Sequence, residues 1–244
     1  MDDIGERYIL YYLPGTNLEI PMGGVNPYTV VNTLVVMAVL WGLMYAATRR
    51  LSAVPNRGQA ALEWVVGAFD NLVASSLEMD REKNRRFFPL ITGMFLFLIL
   101  ANFLGFLPGP WFEEPTADLS TTLGLGILGV GIAVVCGIAA KGIWGYLEEL
   151  LGPLWQQPGI AGKISALFFF PLNVVGEISK VLSISFRLFG NIVGSAVLLV
   201  VISHLVFYLV LPIGLLFFFV FFVGAIQAFV FAMLTLTYIS VAIK

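Results

Sequence analysis

The chain has 244 residues, of which 59% are hydrophobic and 11% charged, with a formal net charge of −2 and a mean hydropathy of +0.94. Soluble domains carry about 25% charged residues, so the composition excludes a soluble enzyme and indicates an integral protein of the lipid bilayer, with no nucleic acid partner. The single cysteine, Cys136, excludes an internal disulfide and is expected to be a buried small hydrophobic residue.

Three apolar runs are long enough to cross a bilayer, which takes about 20 residues of helix. They are residues 28–48, 87–107 and 119–140. The first run stops at Arg49 and Arg50, the second at a Pro-Gly-Pro sequence that breaks a helix, and the third at Lys141. Residues 1–27 form an N-terminal segment ahead of the first run.

The last apolar stretch, residues 164–243, is too long for two upright spans. We predict a hairpin of two long, tilted helices with its corner at Pro212 and Gly214. Residues 58–80 mix apolar and acidic side chains, which predicts a helix on the membrane surface. Residues 142–162 are rich in aromatic side chains and predict an interfacial loop. The fold class is therefore all-α, a polytopic membrane protein with about five transmembrane helices.

The basic residues outside the spans are unevenly distributed. Ten fall on one side of the predicted membrane, whereas Arg7 falls on the other. The ten are Arg49, Arg50, Arg57, Arg81, Lys83, Arg85, Arg86, Lys141, Lys163 and Lys244. The positive-inside rule then places the N terminus outside the cell and the C terminus in the cytoplasm.

A row of polar residues interrupts the fourth span. Its members, spaced by three, seven, four and four positions, are Glu177, Lys180, Arg187, Asn191 and Ser195. This spacing keeps them on one face of a helix. Glycines at positions 190 and 194 form a GxxxG pattern beside the row, which permits close approach of another helix. We expect this face to meet protein or water rather than lipid.

Arg187 is the most informative member of the row. A guanidinium at the bilayer centre costs at least about 2.5–3.5 kcal/mol, and it cannot escape that cost by losing its proton. Snorkelling or a purely structural charge is the alternative, although no acid lies three or four positions away. Arg187 cannot relay protons, but it can repel cations and lower the pKa of a carboxylate within about 4–6 Å. No acid of this chain is well placed, so we expect it on a partner that moves past the arginine.

The other polar residues each have two interpretations. Glu177 and Lys180 either serve an ion path or form an ion pair within the helix, and Lys180 can also snorkel. Asn191 and Gln227 either support Arg187 or only hold helices together. Gln227 is expected to contact the Arg187–Asn191 region, but a corner at Pro212 leaves the two out of register.

Two further residues lie near the predicted outer surface. His204 is either a proton station or an ordinary interfacial histidine. Asp118 either caps the third span or lines an aqueous path.

Motifs for bond chemistry are absent from the sequence. It contains no GxxxxGK[ST], no HExxH and no GxSxG. One histidine and one cysteine exclude most metal sites built within one chain. We therefore expect no cofactor, no metal and no enzymatic activity of the chain itself, which leaves ion movement.

The segment Ser-Ile-Ser-Phe-Arg-Leu-Phe-Gly-Asn at residues 183–191 resembles the signature of subunit a of F-type ATP synthases, the membrane stator of the F0 sector. Five more blocks follow the order of that family. They are residues 101–105, 115–120, 141–143, 171–173 and 226–231. The resemblance covers roughly residues 81–242.

This resemblance implies that Arg187 is the essential stator arginine, which faces the carboxylates of a rotating c-subunit ring and separates two aqueous half-channels. Gln227 would support it from the last helix, and Asn191 would lie next to it. The resemblance also implies b-type peripheral stalk subunits as partners, steeply tilted last helices, and a non-catalytic role in coupling proton transport to ATP synthesis.

The sequence departs from the family at two positions. Many proton-coupled members carry a glutamate nine residues after the arginine, where this chain has Ala196. Bacterial members often carry a histidine seven residues before the glutamine, where it has Val220. Either Glu177, His204 or Asp118 substitutes, or the path suits sodium.

Alternatives to the proton-coupled stator therefore stay open. They are the same role with sodium as coupling ion, a self-contained ion transporter, and a structural assembly subunit. The bacterial-like motifs and the acidic N-terminal segment favour the bacterial plasma (inner) membrane as the location.

Overall fold

The computed structural model describes residues 27–48, 57–77, 81–107, 114–152, 160–206 and 210–243. Within these ranges the fold is all-α and contains no strand. The helices are α1 (Pro27–Thr48), α2 (Arg57–Leu77), α3 (Arg81–Leu104), α4 (Leu119–Leu151), α5 (Ile160–Leu205), α6 (Val210–Phe217) and α7 (Gly224–Ile243). A 3₁₀ turn, Pro115–Ala117, precedes α4, and a π-helical segment, Phe218–Val223, joins α6 to α7.

Five stretches of the described chain are long and apolar enough to cross a membrane, which confirms the predicted fold class. They are Tyr28–Ala46, Arg86–Leu104, Leu119–Glu148, Phe169–Leu205 and Leu211–Ile243. The fourth stretch has 37 residues, which corresponds to about 55 Å of helix. The hydrocarbon core is about 30 Å thick, so this helix must tilt strongly or extend beyond the membrane.

α4 is longer than the predicted third span. It continues to Leu151 through a kink at Gly142, where φ is 76° and ψ is 164°. Glycine adopts this φ without the steric penalty that a side chain imposes. The chain leaves the helical conformation at Gly142, where the third span was predicted to end, but residues 143–151 are helical, so the predicted loop is wrong for them. Their interfacial position stays a prediction, and residues 153–159 lie outside the described ranges. Trp144, just after the kink, is 80% exposed.

The hairpin turns earlier than the sequence predicted. α5 ends at Leu205 and α6 begins at Val210, so the corner at Pro212 is wrong. Pro212 instead occupies the first turn of α6, where a helix has no partner for a backbone N–H. The earlier turn places Asn191 and Gln227 at comparable distances from it, which removes the expected mismatch between them.

α4 packs between α5 and α7, and glycines allow its close approach to both. A Cβ atom on Gly126 would overlap the Ser185 hydroxyl of α5. A Cβ atom on Gly129 would lie 2.9 Å from the Thr235 hydroxyl oxygen of α7. α7 in turn packs against α3, and its Phe231 is buried between these helices. Small residues at such contacts are the usual device for bringing membrane helices together.

α2 lies against the bundle with one face buried. Phe69 and Val73 pack into a core with residues of α3, α4 and α7, while Trp64 is exposed. The Ser240 hydroxyl of α7 donates a hydrogen bond of 2.8 Å to the backbone carbonyl of Ser76. A one-sided apolar helix suits the predicted position on the membrane surface, which stays a prediction. Residues 1–26 of the predicted N-terminal segment and residues 78–80 of the predicted surface helix are outside the described ranges.

Gly126→Val is expected to destabilise the protein by about 1–3 kcal/mol, because the added side chain overpacks the contact with Ser185. Gly124→Val is the matched control, since nothing lies within 4 Å of a Cβ atom at that position of the same helix. Thermal unfolding of the purified variants in detergent measures the difference. Equal midpoints for the two variants would contradict the close contact between α4 and α5.

Candidate functional site

Arg187 lies on the face of α5 that the rest of the chain leaves uncovered. Ile184 and Leu188, on the opposite face, are buried in a core shared with α3, α4 and α7. The side chains of Phe186, Arg187 and Val197 are exposed. Among the described residues, no carboxylate lies within ion-pair distance of Arg187. A permanent positive charge therefore stands on an exposed, largely apolar helix surface.

A hydrogen bond connects this region of α5 to α7. Asn191 Nδ2 donates to Gln227 Oε1 at 2.7 Å, and Gln227 is only 5% exposed. The sequence predicted that Gln227 contacts the Arg187–Asn191 region, and the structure contains that contact. Asn191 follows Arg187 by one helical turn. Its bond to Gln227 therefore holds α7 against α5 about one turn away from Arg187.

Glu177 and Lys180 form the ion pair that was one of their two interpretations. Lys180 Nζ lies 2.6 Å from Glu177 Oε1, and both side chains are about one-third exposed. The ammonium also lies 5.6 Å from the centre of the Tyr238 ring on α7, within range of a cation–π contact. The pair is thus held against α7 rather than directed away from the bundle.

The Glu177–Lys180 pair lines a cavity of about 490 Å³ between α4, α5 and α7. Tyr146, Asn173 and Tyr238 supply further polar groups to its wall. Asn173 Nδ2 donates to the Leu150 backbone carbonyl at 2.7 Å, which holds the part of α4 beyond the kink against α5. The cavity is large enough to hold several water molecules.

Two predicted residues further along α5 make only local contacts within the described chain. The Ser195 hydroxyl donates to the Ile192 carbonyl at 2.8 Å. His204 is exposed, and its Nδ1 lies 3.0 Å from the Val200 carbonyl oxygen. The structure therefore does not bring His204 together with Arg187, Gln227 or the Glu177–Lys180 pair.

Asp118 caps α4, as one of its two interpretations proposed. Its Oδ1 accepts hydrogen bonds from the Ser120 backbone N–H at 3.0 Å and from the Ser120 hydroxyl at 2.8 Å. Its Oδ2 accepts a longer bond of 3.4 Å from the Thr29 hydroxyl of α1. Both carboxylate oxygens thus serve the junction of α1 with the start of α4.

Three groups that the sequence did not single out as functional form a buried polar link. The Thr116 hydroxyl donates to Asn102 Oδ1 at 3.2 Å, and Asn102 Nδ2 donates to the Gly224 carbonyl at 3.0 Å. Asn102 and Thr116 are buried, and Gly224 stands one turn before Gln227 at the start of α7. Asn102 and Thr116 both belong to sequence blocks that carried the family resemblance, and this was the only sign in the sequence that they matter. Their contact with α7 could not be predicted, because it depends on how α3 crosses α7.

Glu114 is another residue that the sequence did not indicate as functional. Its carboxyl packs against Gly105 at the end of α3, where a Cβ atom would overlap the carboxyl oxygen. Burial raises the pKa of Glu114 from 4.5 to about 7, because a charged carboxylate loses hydration there. Within the described residues its carboxyl accepts no hydrogen bond that would offset this loss.

The two positions at which the sequence departs from the family, Ala196 and Val220, have different surroundings. Ala196 is exposed on α5, and Val220 is buried in the π-helical segment. Neither side chain can exchange a proton, so these positions contribute shape and not acid–base chemistry.

Comparison with known proteins gives a consistent result over most of the chain. A family profile described as ATP synthase A chain matches residues 29–240. ATP synthase subunit a of Moorella thermoacetica is 36% identical over 213 residues, which cover 87% of this chain and 88% of the relative. The subunit a of Syntrophobacter fumaroxidans is 34% identical over 212 residues, covering 87% of this chain and 82% of the relative. That of Geobacter sulfurreducens is 35% identical over 208 residues, covering 85% and 83%.

The bond between Asn191 and Gln227 is expected to contribute coupling of about 0.6–1.7 kcal/mol, as other side-chain hydrogen bonds between membrane helices do. A double-mutant cycle with Asn191→Leu and Gln227→Leu isolates this term, because the double variant leaves no unpaired amide. Thermal unfolding of the three variants and the parent chain in detergent supplies the four values. Additive effects of the two substitutions would show that the amides do not interact.

Proposed function

Because this chain belongs to the family of ATP synthase subunit a, we propose that it forms two aqueous half-channels that pass protons to and from the carboxylates of a c-subunit ring. It is the membrane stator component of the F0 sector and a multi-pass membrane protein. In this proposal the chain catalyses no bond chemistry itself. It couples ion flow to ATP synthesis, which takes place elsewhere in the complex.

The single observation that carries the proposal is the uncovered Arg187 on α5. A guanidinium stays charged at any physiological pH, and leaving it in hydrocarbon is unfavourable by several kcal/mol in order of magnitude. A surface that keeps such a group exposed in the isolated chain needs a polar or negatively charged partner. A carboxylate of a neighbouring ring meets that requirement, because Arg187 stabilises its ionised form.

This electrostatic effect explains how a stationary arginine directs ion movement. A protonated ring carboxyl that approaches Arg187 has its pKa lowered and releases its proton. After it passes the arginine, the carboxylate regains its ordinary pKa and takes up a proton from the other side. The fixed charge also repels protons and other cations, which prevents a leak directly between the two half-channels.

Asn191 and Gln227 are proposed to hold α5 and α7 in register beside the arginine. Their hydrogen bond lies one turn from Arg187, and the buried Gln227 fixes the position of α7 at that level. Since hydrogen bonds between membrane helices select one register among many apolar alternatives, this pair supports the orientation of Arg187 towards the ring.

The cavity lined by Glu177 and Lys180 is proposed as the inner half-channel. It lies beside the part of α4 that follows Lys141 and near the end of α7. The positive-inside distribution of basic residues favours the cytoplasm on this side. A carboxylate and an ammonium held 2.6 Å apart keep the wall hydrated without adding net charge.

The opposite end of the bundle is proposed as the outer side, with the N terminus outside and the C terminus cytoplasmic. Asp118 fixes the start of α4 there through its bonds to Ser120 and Thr29. His204, exposed on the last turn of α5, borders the same region. Both residues are proposed to lie along the outer half-channel, where they shape it and attract protons.

Protons are the proposed coupling ion, with sodium as the alternative. Each elementary charge that crosses the membrane releases about 2.3 kcal/mol per 100 mV. One such step is too small for ATP synthesis, so a rotor must sum several steps. A chain with one fixed charge fits the stationary part of that machine.

The partners follow from the same arrangement. The c-subunit ring is proposed to cover the exposed face of α5, and b-type peripheral stalk subunits are proposed to hold the chain stationary. The lipid bilayer surrounds the remaining exposed apolar side chains, such as Trp41 and Leu43 of α1. The proposed location is the bacterial plasma membrane.

Arg187→Lys is expected to lower ATP synthesis driven by a proton gradient at least about tenfold in a fully assembled complex. Lysine keeps a positive charge but loses the planar guanidinium, which can pair with a carboxylate through two parallel bonds. The measurement is ATP synthesis by purified complexes in liposomes, with assembly checked by subunit composition.

Arg86→Lys is the matched control. Arg86 is an exposed arginine in the second turn of α3, so the complex should tolerate its replacement by lysine. An Arg187→Lys complex that synthesises ATP at the parent rate would favour a purely structural subunit. Ion uptake by the purified chain alone, reconstituted without other subunits, would favour a self-contained transporter.

The choice of coupling ion gives a separate prediction. ATP synthesis by the intact complex is expected to stop when a protonophore is added, whether or not sodium is present, because the protonophore removes only the proton gradient. Liposomes loaded with and without a sodium gradient provide the comparison. Sodium-driven synthesis that survives the protonophore would contradict proton coupling.

A further inference from the structure

Two positions of the proposed outer half-channel carry side chains that do not ionise. Ala196 and Val220 occupy the positions where an acid or a histidine was expected, and neither ionises. Asp118 Oδ1 caps α4, and Asp118 Oδ2 accepts a hydrogen bond from Thr29 of α1. His204 contacts only the Val200 carbonyl within the described chain. Neither Asp118 nor His204 is hydrogen-bonded to the groups beside Gln227 in the described chain, which directs attention to a further acid at this end of the bundle.

We propose that Glu114 is the residue that exchanges protons with the outer solution and delivers them towards Gln227. This inference rests on the proposed function and adds to it the group that loads the outer half-channel. Its basis is the position of Glu114 between the end of α3 and the 3₁₀ turn that precedes α4, next to a buried polar link that reaches α7.

The carboxyl of Glu114 sits in a space that the backbone of α3 leaves for it. Gly105 has no side chain, and a Cβ atom there would overlap the Glu114 carboxyl. The Glu114 backbone carbonyl accepts a hydrogen bond of 2.9 Å from the Ala117 N–H, which anchors the residue at the start of the 3₁₀ turn. Glu114 is half-buried, so its carboxyl is held in place and keeps a path to solvent.

A polar route leads from this position into the bundle. Two residues after Glu114, the Thr116 hydroxyl binds Asn102, and the Asn102 amide binds the Gly224 carbonyl. Gly224 is the first residue of α7 and precedes Gln227 by one turn. These buried groups form a hydrogen-bonded link from the outer end of α3 to the turn of α7 that precedes Gln227.

The groups around Glu114 leave it free to titrate near neutral pH. Within the described residues, the ionisable groups at the same end of the neighbouring elements are Tyr28 on α1, Asp118 before α4 and His204 on α5, and Glu113 precedes Glu114 in the chain. α3 contributes none in its last turn, where Asn102 and Gly105 are neutral. Burial raises the pKa of Glu114 to about 7, so its carboxyl is protonated below that pH and ionised above it.

The test uses the assembled complex in liposomes with the outer face of the protein towards the lumen. The luminal pH is varied from about 5.5 to about 8.5 at constant external pH, with the membrane potential adjusted so that the total driving force stays constant. ATP synthesis by the parent complex should fall as the luminal pH rises through about 7, because Glu114 then no longer supplies a proton. Glu114→Gln should lower the rate below pH 7 by about tenfold or more and remove this step from the profile.

Glu113→Gln is the matched control, because it removes the neighbouring acid and the same negative charge. It should keep both the rate and the midpoint of the profile. A parent-like profile for Glu114→Gln would overturn the proposal. Equal losses for the two variants would also overturn it, since the effect would then be one of surface charge.

Glu114→Asp covers the case in which the glutamine variant does not assemble. The shorter acid keeps a titrating group but cannot reach the same contact with Gly105, so the midpoint should shift away from that of the parent complex. An unchanged midpoint would overturn the proposal. Arg187→Lys is measured in the same preparations. If Arg187→Lys abolishes synthesis while the Glu114 variants behave like the parent, only the role of Glu114 is wrong. If Arg187→Lys leaves synthesis intact, the proposed function itself is wrong.

Discussion

The arrangement of this chain depends on one constraint, a permanent positive charge on an apolar helix. Arg187 cannot lose its proton, and hydrocarbon cannot solvate it. Its own chain supplies no carboxylate to it within the described residues. The charge is therefore compatible with the membrane only if another molecule or water faces it. The uncovered surface of α5 is best understood as one half of an interface.

The rest of the bundle holds this surface in place. α4 lies between α5 and α7, and the glycines at positions 126 and 129 let it approach both helices. Van der Waals contact alone specifies such a bundle poorly, because apolar surfaces slide over one another at little cost. The hydrogen bonds at three levels of α7 remove that freedom. They join Gly224 to Asn102, Gln227 to Asn191 and Ser240 to Ser76.

The two ends of the bundle have different polar chemistry. At the end near the α4 kink, Glu177 and Lys180 neutralise each other in the wall of a cavity. At the other end, Asp118 caps α4, whereas the half-buried Glu114 carboxyl accepts no hydrogen bond from the described residues. Burial raises the pKa of Glu114, because a charged carboxylate loses hydration there. This difference supports the proposal that Glu114 exchanges protons at one end, while the cavity beside Glu177 and Lys180 holds water at the other.

The sequence alone determined the class of protein and the number of spans, and it singled out Arg187 as the candidate functional residue. Those properties follow from composition and from windows of about 20 residues, over which hydropathy sums reliably. The contact between Gln227 and the Arg187–Asn191 region was also predictable, since an isolated amide in an apolar span needs a partner. Its register was not, because α5 ends at Leu205 and α6 begins at Val210, ahead of the predicted corner at Pro212.

Only the tertiary structure revealed the link from Thr116 through Asn102 to Gly224 and the burial of Glu114 against Gly105. These residues are distant in sequence, and their contacts depend on the angle at which α3 crosses α7. The helical segment of α4 that follows the kink at Gly142 was likewise hidden. In the sequence, a glycine directly after an apolar run indicates the end of a helix, and it does not show that a second helical segment follows. Hydropathy and spacing act along one chain segment, whereas the depth at which a polar side chain lies and the partner that it meets are decided between segments.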